Sequence, residues 1–178
     1  MASHATTSNA AHACQARQER LSPTEIGSKP MLRLASADPD SLDARRLVAE
    51  LDAALAAITG DSGAASFDPQ DCRGPGAVFV IAYDAQGAAV GCGALRPLEG
   101  ETGEIKRMYA RPGSGAGAAV LTELERHAAA CGYRRLSLST RRVNVRAVGF
   151  YERHGYLEVP PYGRYVGRAV SICLGRQL

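Results

Sequence analysis

The chain has 178 residues, a formal net charge of +3 and 46% hydrophobic residues, enough for one ordinary domain with a sizeable core. No uninterrupted apolar run approaches the roughly 20 residues that a membrane helix needs, so a soluble protein is expected. Only Lys29 and Lys106 among the 21 basic residues are lysines; the arginines are dispersed in an Ala- and Gly-rich chain and argue against nucleic acid as a partner.

Residues 1–30 are small and polar, with no hydrophobic period and no signal-peptide core. They are expected to form a disordered extension, and the domain to span residues 31–178. "MLRLASADP" alternates like a strand. Asp38 followed by Pro39 reads as a helix start, and Leu47, Val48, Leu51, Leu55 and Ile58 place an amphipathic helix over about 39–59. After a loop rich in Gly, Asp and Pro, "AVFVIAYD" and "AAVGCGALRPL" flank Ala85-Gln86-Gly87 as a hairpin.

"GEIKRMYARP" is the next strand. Val120, Leu121, Leu124, Ala128 and Cys131 then stripe one face of a helix that stops at Gly132. "RRLSLST" is a strand, "NVRAVGFYERHG" a helix ended by Gly155, and "AVSICLGRQL" a terminal strand. The order β-α-β-β-β-α-β-α-β describes an α/β sandwich with a mixed, partly antiparallel sheet.

Between strand and helix lies Gly113-Ser114-Gly115-Ala116-Gly117. It is no Walker loop, because no lysine follows its last glycine, and no dinucleotide fingerprint, because the acid after Glu125 is Glu152, too far on to hold a ribose. Two readings remain: a plain flexible connection, or a helix N-terminus whose free amides and dipole receive a pyrophosphate. Cys14, Cys72, Cys92, Cys131 and Cys173 are odd in number and lack CxxC spacing, so neither a disulfide framework nor a metal site is indicated. A reducing, cytoplasmic setting fits. Cys92, Cys131 and Cys173 lie in apolar runs and read as inert rather than as acyl carriers; His127 and His154 read as solvated.

The strand, the glycine turn, the helix, the next strand and then N-x-x-A-x-x-x-Y-E-x-x-G-Y from Asn144 to Tyr156 form a combination that resembles the GNAT superfamily of acetyl-CoA-dependent N-acetyltransferases. The likeness runs from about Met31 to the C-terminus and is strongest from Glu104 to Tyr156. It implies a three-layer α/β sandwich with a mixed, mainly antiparallel central sheet, and acetyl transfer from acetyl-CoA to a primary amine on a small molecule. The backbone of Met108, Tyr109 and Ala110 would then bind the pantetheine arm like an added strand, and the amides of Gly113, Ser114, Gly115, Ala116, Gly117 and Ala118 would hold the pyrophosphate. Asn144, Ala147 and Tyr151 would complete the cofactor site.

The resemblance also implies Tyr151 as the acid that protonates the CoA sulfur, against a plain packing role on an apolar helix face. Glu104 is the matching candidate base, acting through water, with ion pairing to Arg107 or another arginine as its alternative. The Met108 amide would meet the charge that develops on the thioester oxygen. One departure stands out. Pro112 occupies the place where the family keeps Arg or Gln, and the turn is shorter than the family's, which leaves Arg111 to substitute or the hold on CoA to weaken. In "VPPYGRYVGRAVSICL", which resembles a bacterial subgroup of the family, Tyr162 and Tyr165 are expected to line an acceptor pocket. No metal, nucleic acid or membrane is implied, and a monomer or homodimer is expected. The alternative to an enzyme is a non-catalytic acyl-CoA-binding or regulatory module with the same fold.

Overall fold

The computed structural model describes residues 31–178; the extension expected over residues 1–30 lies outside them. Seven strands form one sheet in the order β1-β2-β3-β4-β5-β7-β6: β1 (Arg33–Ser36), β2 (Val78–Tyr83), β3 (Ala89–Pro97), β4 (Thr102–Ala110), β5 (Arg135–Arg141), β6 (Leu157–Glu158) and β7 (Ser171–Gln177). Three helices, α1 (Leu42–Thr59), α2 (Ala116–Ala130) and α3 (Val145–Arg153), flank it. All neighbouring strands are antiparallel except β4 and β5, which α2 joins as a crossover connection. This is the expected three-layer sandwich with a mixed, mainly antiparallel sheet.

Two cores hold the layers together. On one face Leu47 and Ala44 of α1 pack on Phe79, Ile81, Cys92 and Ala94. On the other, Val120, Leu121 and Leu124 of α2 join Ile105, Leu136 and Leu138, with Tyr151 of α3 and Tyr156 beyond it. The second face is tight because β3 carries glycines. A Cβ at Gly93 would lie 2.6 Å from Met108 Sδ and 2.8 Å from Val120 Cγ1, and one at Gly91 would lie 2.7 Å from the Ala116 Cβ. Glycine here permits the helix to sit close to the sheet.

The elements differ from the sequence reading in two places. Helix α1 starts at Leu42 and is capped by Ser41, whose Oγ accepts from the Ala44 amide at 3.3 Å. The Asp38 carboxylate is committed elsewhere, accepting from the Asp40 amide at 2.8 Å and pairing with Arg73 at 2.7 Å, so the cap falls to the next competent side chain. The short strand β6 pairs with β7 through Leu157 and Glu158. Two residues carry too little period to be read as a strand from sequence. At the end of α2 the chain turns through Gly132 in the left-handed region, φ 85°, as its stop signal implies.

Candidate active site

Strands β4 and β5 pair only over Thr102–Glu104 and Arg135–Ser137. Beyond that they separate, and the backbone of each faces a gap instead of a neighbour. The cause lies in β4. Opposite β3, Cys92 pairs with Tyr109 and Ala94 with Lys106, so two residues, Arg107 and Met108, stand against Gly93. This bulge bends the strand, and Arg107 takes a φ of 53°, the one positive φ of a non-glycine among the described residues. A side chain in the left-handed region is strained, and such outliers gather at functional sites.

The gap opens into a cleft of about 210 Å³. Ile105, Lys106, Arg107 and Met108 from β4 and Leu138–Arg141 from β5 form its floor; Asn144, Ala147 and Tyr151 form one wall. The opposite wall combines the end of α1, the loop after it and the segment around Tyr165. Of the anticipated cofactor residues, Met108, Asn144, Ala147 and Tyr151 therefore meet at one place. Asn144 is also the N-cap of α3, its Oδ1 accepting from the Ala147 amide at 3.3 Å. Tyr109 packs toward α1 and Ala110 toward α2, so only their backbones are placed for an added strand.

The glycine turn lies at the N-terminus of α2, apart from the residues that line the cleft. Gly115 is the N-cap with φ 69° and Gly113 has φ 77°; a Cβ at Gly113 would meet nothing within 4 Å. Ser114 closes the turn, donating to the Arg111 carbonyl at 2.7 Å and accepting from the Ala116 amide at 3.2 Å. Arg111 turns away from the loop: its Nη2 and Nε bind Glu50 of α1 at 2.6 and 3.0 Å, and this contact holds the Glu50 carboxyl below its ordinary range.

Tyr151 is 6% exposed and borders the cleft. Its ring meets Phe150 and Tyr156 edge-on, with centroids 5.2 and 5.6 Å apart, and burial pushes its phenol up from 10, so that it stays protonated through any physiological pH. Glu104 lies beneath the floor, 1% exposed. Arg96 Nε and Nη2 reach its Oε2 at 2.8 and 2.6 Å, and Tyr162 donates to its Oε1 at 3.0 Å. Lys106 Nζ stands 3.5 Å from that oxygen and 2.7 Å from the Tyr165 hydroxyl. Of the partners anticipated for Glu104, it is another arginine, Arg96, that pairs with it, while Arg107 binds Asp52 at 2.7 Å.

Three expectations need correction. Tyr165 lines the cleft but Tyr162 does not, because its hydroxyl is drawn inward by Glu104. His127 is buried rather than solvated, and burial holds its imidazole below the ordinary value. Cys131 is disulfide-bonded, which the odd cysteine count and the spacing did not signal. Cys92 fits its inert reading, with burial pushing its thiol up to about 12.

The residues that sequence reasoning passed over are Lys106, Arg96 and the arginines around the cleft. Period and motif carry no signal for them, since their roles depend on which strands end up adjacent.

Comparison with known proteins places this architecture. The model of the acetyltransferase (GNAT) family matches residues 43–156. An IAA acetyltransferase of Azospirillum brasilense is 29% identical over 153 residues, covering 84% of this chain and 99% of that protein. A Klebsiella pneumoniae protein assigned as an acyl-CoA N-acyltransferase superposes with a TM-score of 0.70 at 27% identity, covering 83% of this chain and 98% of its own. An IAA acetyltransferase from Bacillus cereus shares the fold with a TM-score of 0.61 at 16% identity, over 83% and 99% of the two chains.

Proposed function

The chain belongs to the GNAT acetyltransferase family, and from that premise we propose that it moves an acetyl group from acetyl-CoA to a primary amine of a small-molecule acceptor. One observation carries this reading: β4 and β5 part beyond Glu104 and Ser137 beside the buried hydroxyl-bearing wall of Tyr151. The exposed backbone of Met108–Ala110 offers the pantetheine arm a strand edge. The open turn from Gly113 to Ala118, with a helix dipole behind it, suits a pyrophosphate, and neither Gly113 nor Gly115 projects a side chain into that space.

The donor supplies a thioester, whose carbonyl becomes negative as an amine attacks it. The Met108 amide, turned by the bulge, is the donor proposed for that oxygen. Tyr151 is proposed to hold the proton that the departing thiolate needs; its phenol, raised by burial, remains protonated at every assay pH. Glu104 is the proposed sink for the proton that the amine loses. Because it lies beneath the floor, water is the proposed carrier of that proton, and Lys106, which donates to both Glu104 and Tyr165, holds the carboxylate in place.

The experiment is a measurement of CoA release from acetyl-CoA across a panel of primary amines, with IAA as a separate acceptor outside that panel because the Azospirillum relative is named for it. Release stimulated by at least one amine is expected. Acetyl-CoA binding without release from any acceptor would instead identify a non-catalytic binding module.

A further inference from the structure

The acceptor side of the cleft carries a charge that its own residues do not balance. Five cations line the cleft, Lys106, Arg107, Arg141, Arg164 and Arg168, against one carboxylate, Asp61. Three have partners: Lys106 lies by Glu104, Arg107 by Asp52 and Arg141 by Asp61, the last two at 2.7 Å. Glu104 has a second cation in Arg96, which Asp71 in turn offsets. Among the described residues Arg164 has only a carbonyl as side-chain hydrogen-bond partner, donating from Nη1 to Ala65 at 2.6 Å, and a share of the field of Asp61. Among the described residues no carboxylate lies within ion-pair distance of Arg168.

A second observation points the same way. Arg107 Nε is the one buried side-chain polar atom among the described residues without a hydrogen-bond partner, within a side chain that is 6% exposed while that of its counter-ion Asp52 is 30% exposed. Water screens the more exposed carboxylate more than the buried guanidinium, so this part of the floor also projects positive potential into the cleft. The glycine turn proposed for the donor's phosphates contributes no residue to the lining, and Arg164 and Arg168 sit on the far segment, between β6 and β7, where Arg164 reaches the loop that follows α1.

We propose that the acceptor carries a carboxylate beside its amine, as an amino acid does, and that Arg168 and Arg164 bind that carboxylate. This rests on the acetyl-transfer reading. A bare ammonium would be repelled by this wall, whereas an aminocarboxylate brings the missing negative charge. The same cations favour the neutral form of the amine, which is the nucleophile.

The test compares each of several amino acids with its methyl ester, which keeps the amine and removes the charge, using CoA release as the readout. The acid is expected to exceed the ester in kcat/KM by about 10-fold or more. Arg168→Gln and Arg164→Gln should raise the acceptor KM by a similar factor, leave the acetyl-CoA KM in place and erase the preference for the acid. Both side chains are exposed, and unchanged melting temperatures will show that the variants fold. Esters turned over as well as acids would overturn the proposal while leaving the acetyl-transfer reading intact. So would variants whose defect falls on the acetyl-CoA KM, which would assign the two arginines to the donor. Failure of every acceptor, with acetyl-CoA still raising the melting temperature, would remove the reading and the proposal together.

Discussion

Tyr151 carries the most specific chemistry assigned to a single side chain. Phenylalanine at this position keeps the edge-on contacts with Phe150 and Tyr156 and removes only the hydroxyl. Tyr151→Phe is therefore expected to lower turnover by roughly 10²-fold with little change in acetyl-CoA affinity, as kcat and a binding titration will report. The pH profile adds a sign. Burial raises the phenol's pKa, so its acid form persists on the alkaline side, and the wild-type rate should not fall between pH 7 and 9 through loss of this proton. Wild-type turnover in the variant at every pH would leave Tyr151 as a packing residue. Glu104 is a different kind of residue. Its carboxylate is fixed by Arg96, Lys106 and Tyr162, and a buried charge of this sort is tolerable only while its partners stay. Its structural duty to the floor of the cleft thus stands beside any part in proton transfer, and a substitution there disturbs both.

At the scale of elements, the long periodic segments were legible in the sequence and the paired geometry was not. The stripe from Val120 to Ala128 identifies itself because it buries one continuous helix face, and the apolar runs of β2 and β3 do so because both faces of these strands are covered. The start of α1 was misplaced because Asp38 and Ser41 are both competent caps, and the choice depends on Arg73, far along the chain. The bulge at Arg107–Met108 left no trace in residue types, since it arises from the register of β4 against β3. The glycine turn was legible as a turn before a helix N-terminus, which leaves a plain connection and a pyrophosphate site as its two readings. It also makes the clearest test at this scale. A Cβ at Gly117 would meet Phe150 at 3.5 Å, an ordinary contact, so Gly117→Ala should fold and still respond to acetyl-CoA. Gly117→Arg and Gly115→Arg should abolish the acetyl-CoA-induced rise in melting temperature, because a long side chain fills the space before the helix N-terminus, and at Gly115 the left-handed backbone disfavours it as well. A full response in the arginine variants would reduce the turn to a connection.

For the whole molecule, the sheet is two antiparallel blocks, β1–β4 and β5–β7–β6, whose backbones join through three parallel residue pairs. Each block has its own hydrogen bonds, while the joint relies on those few pairs and on α2 and α3 packed across it. A ligand that lies between β4 and β5 restores hydrogen bonds to strand edges that have none there, so its effect should be greatest at the joint. Binding the native state alone stabilises it by about 2.7 kcal/mol when acetyl-CoA is at 100 times its Kd, which corresponds to a rise of roughly 5–10 °C in Tm for a domain of this size. Hydrogen exchange should resolve where that energy acts. The amides of Met108–Ala110 and Leu138–Thr140 are expected to slow by up to roughly 100-fold under the same conditions, and those of β1 and β2, remote from the joint, to slow only where they exchange by global unfolding. A rise in Tm with no protection at β4 would mean that acetyl-CoA binds elsewhere on the surface, and that the opening between the two blocks serves another ligand.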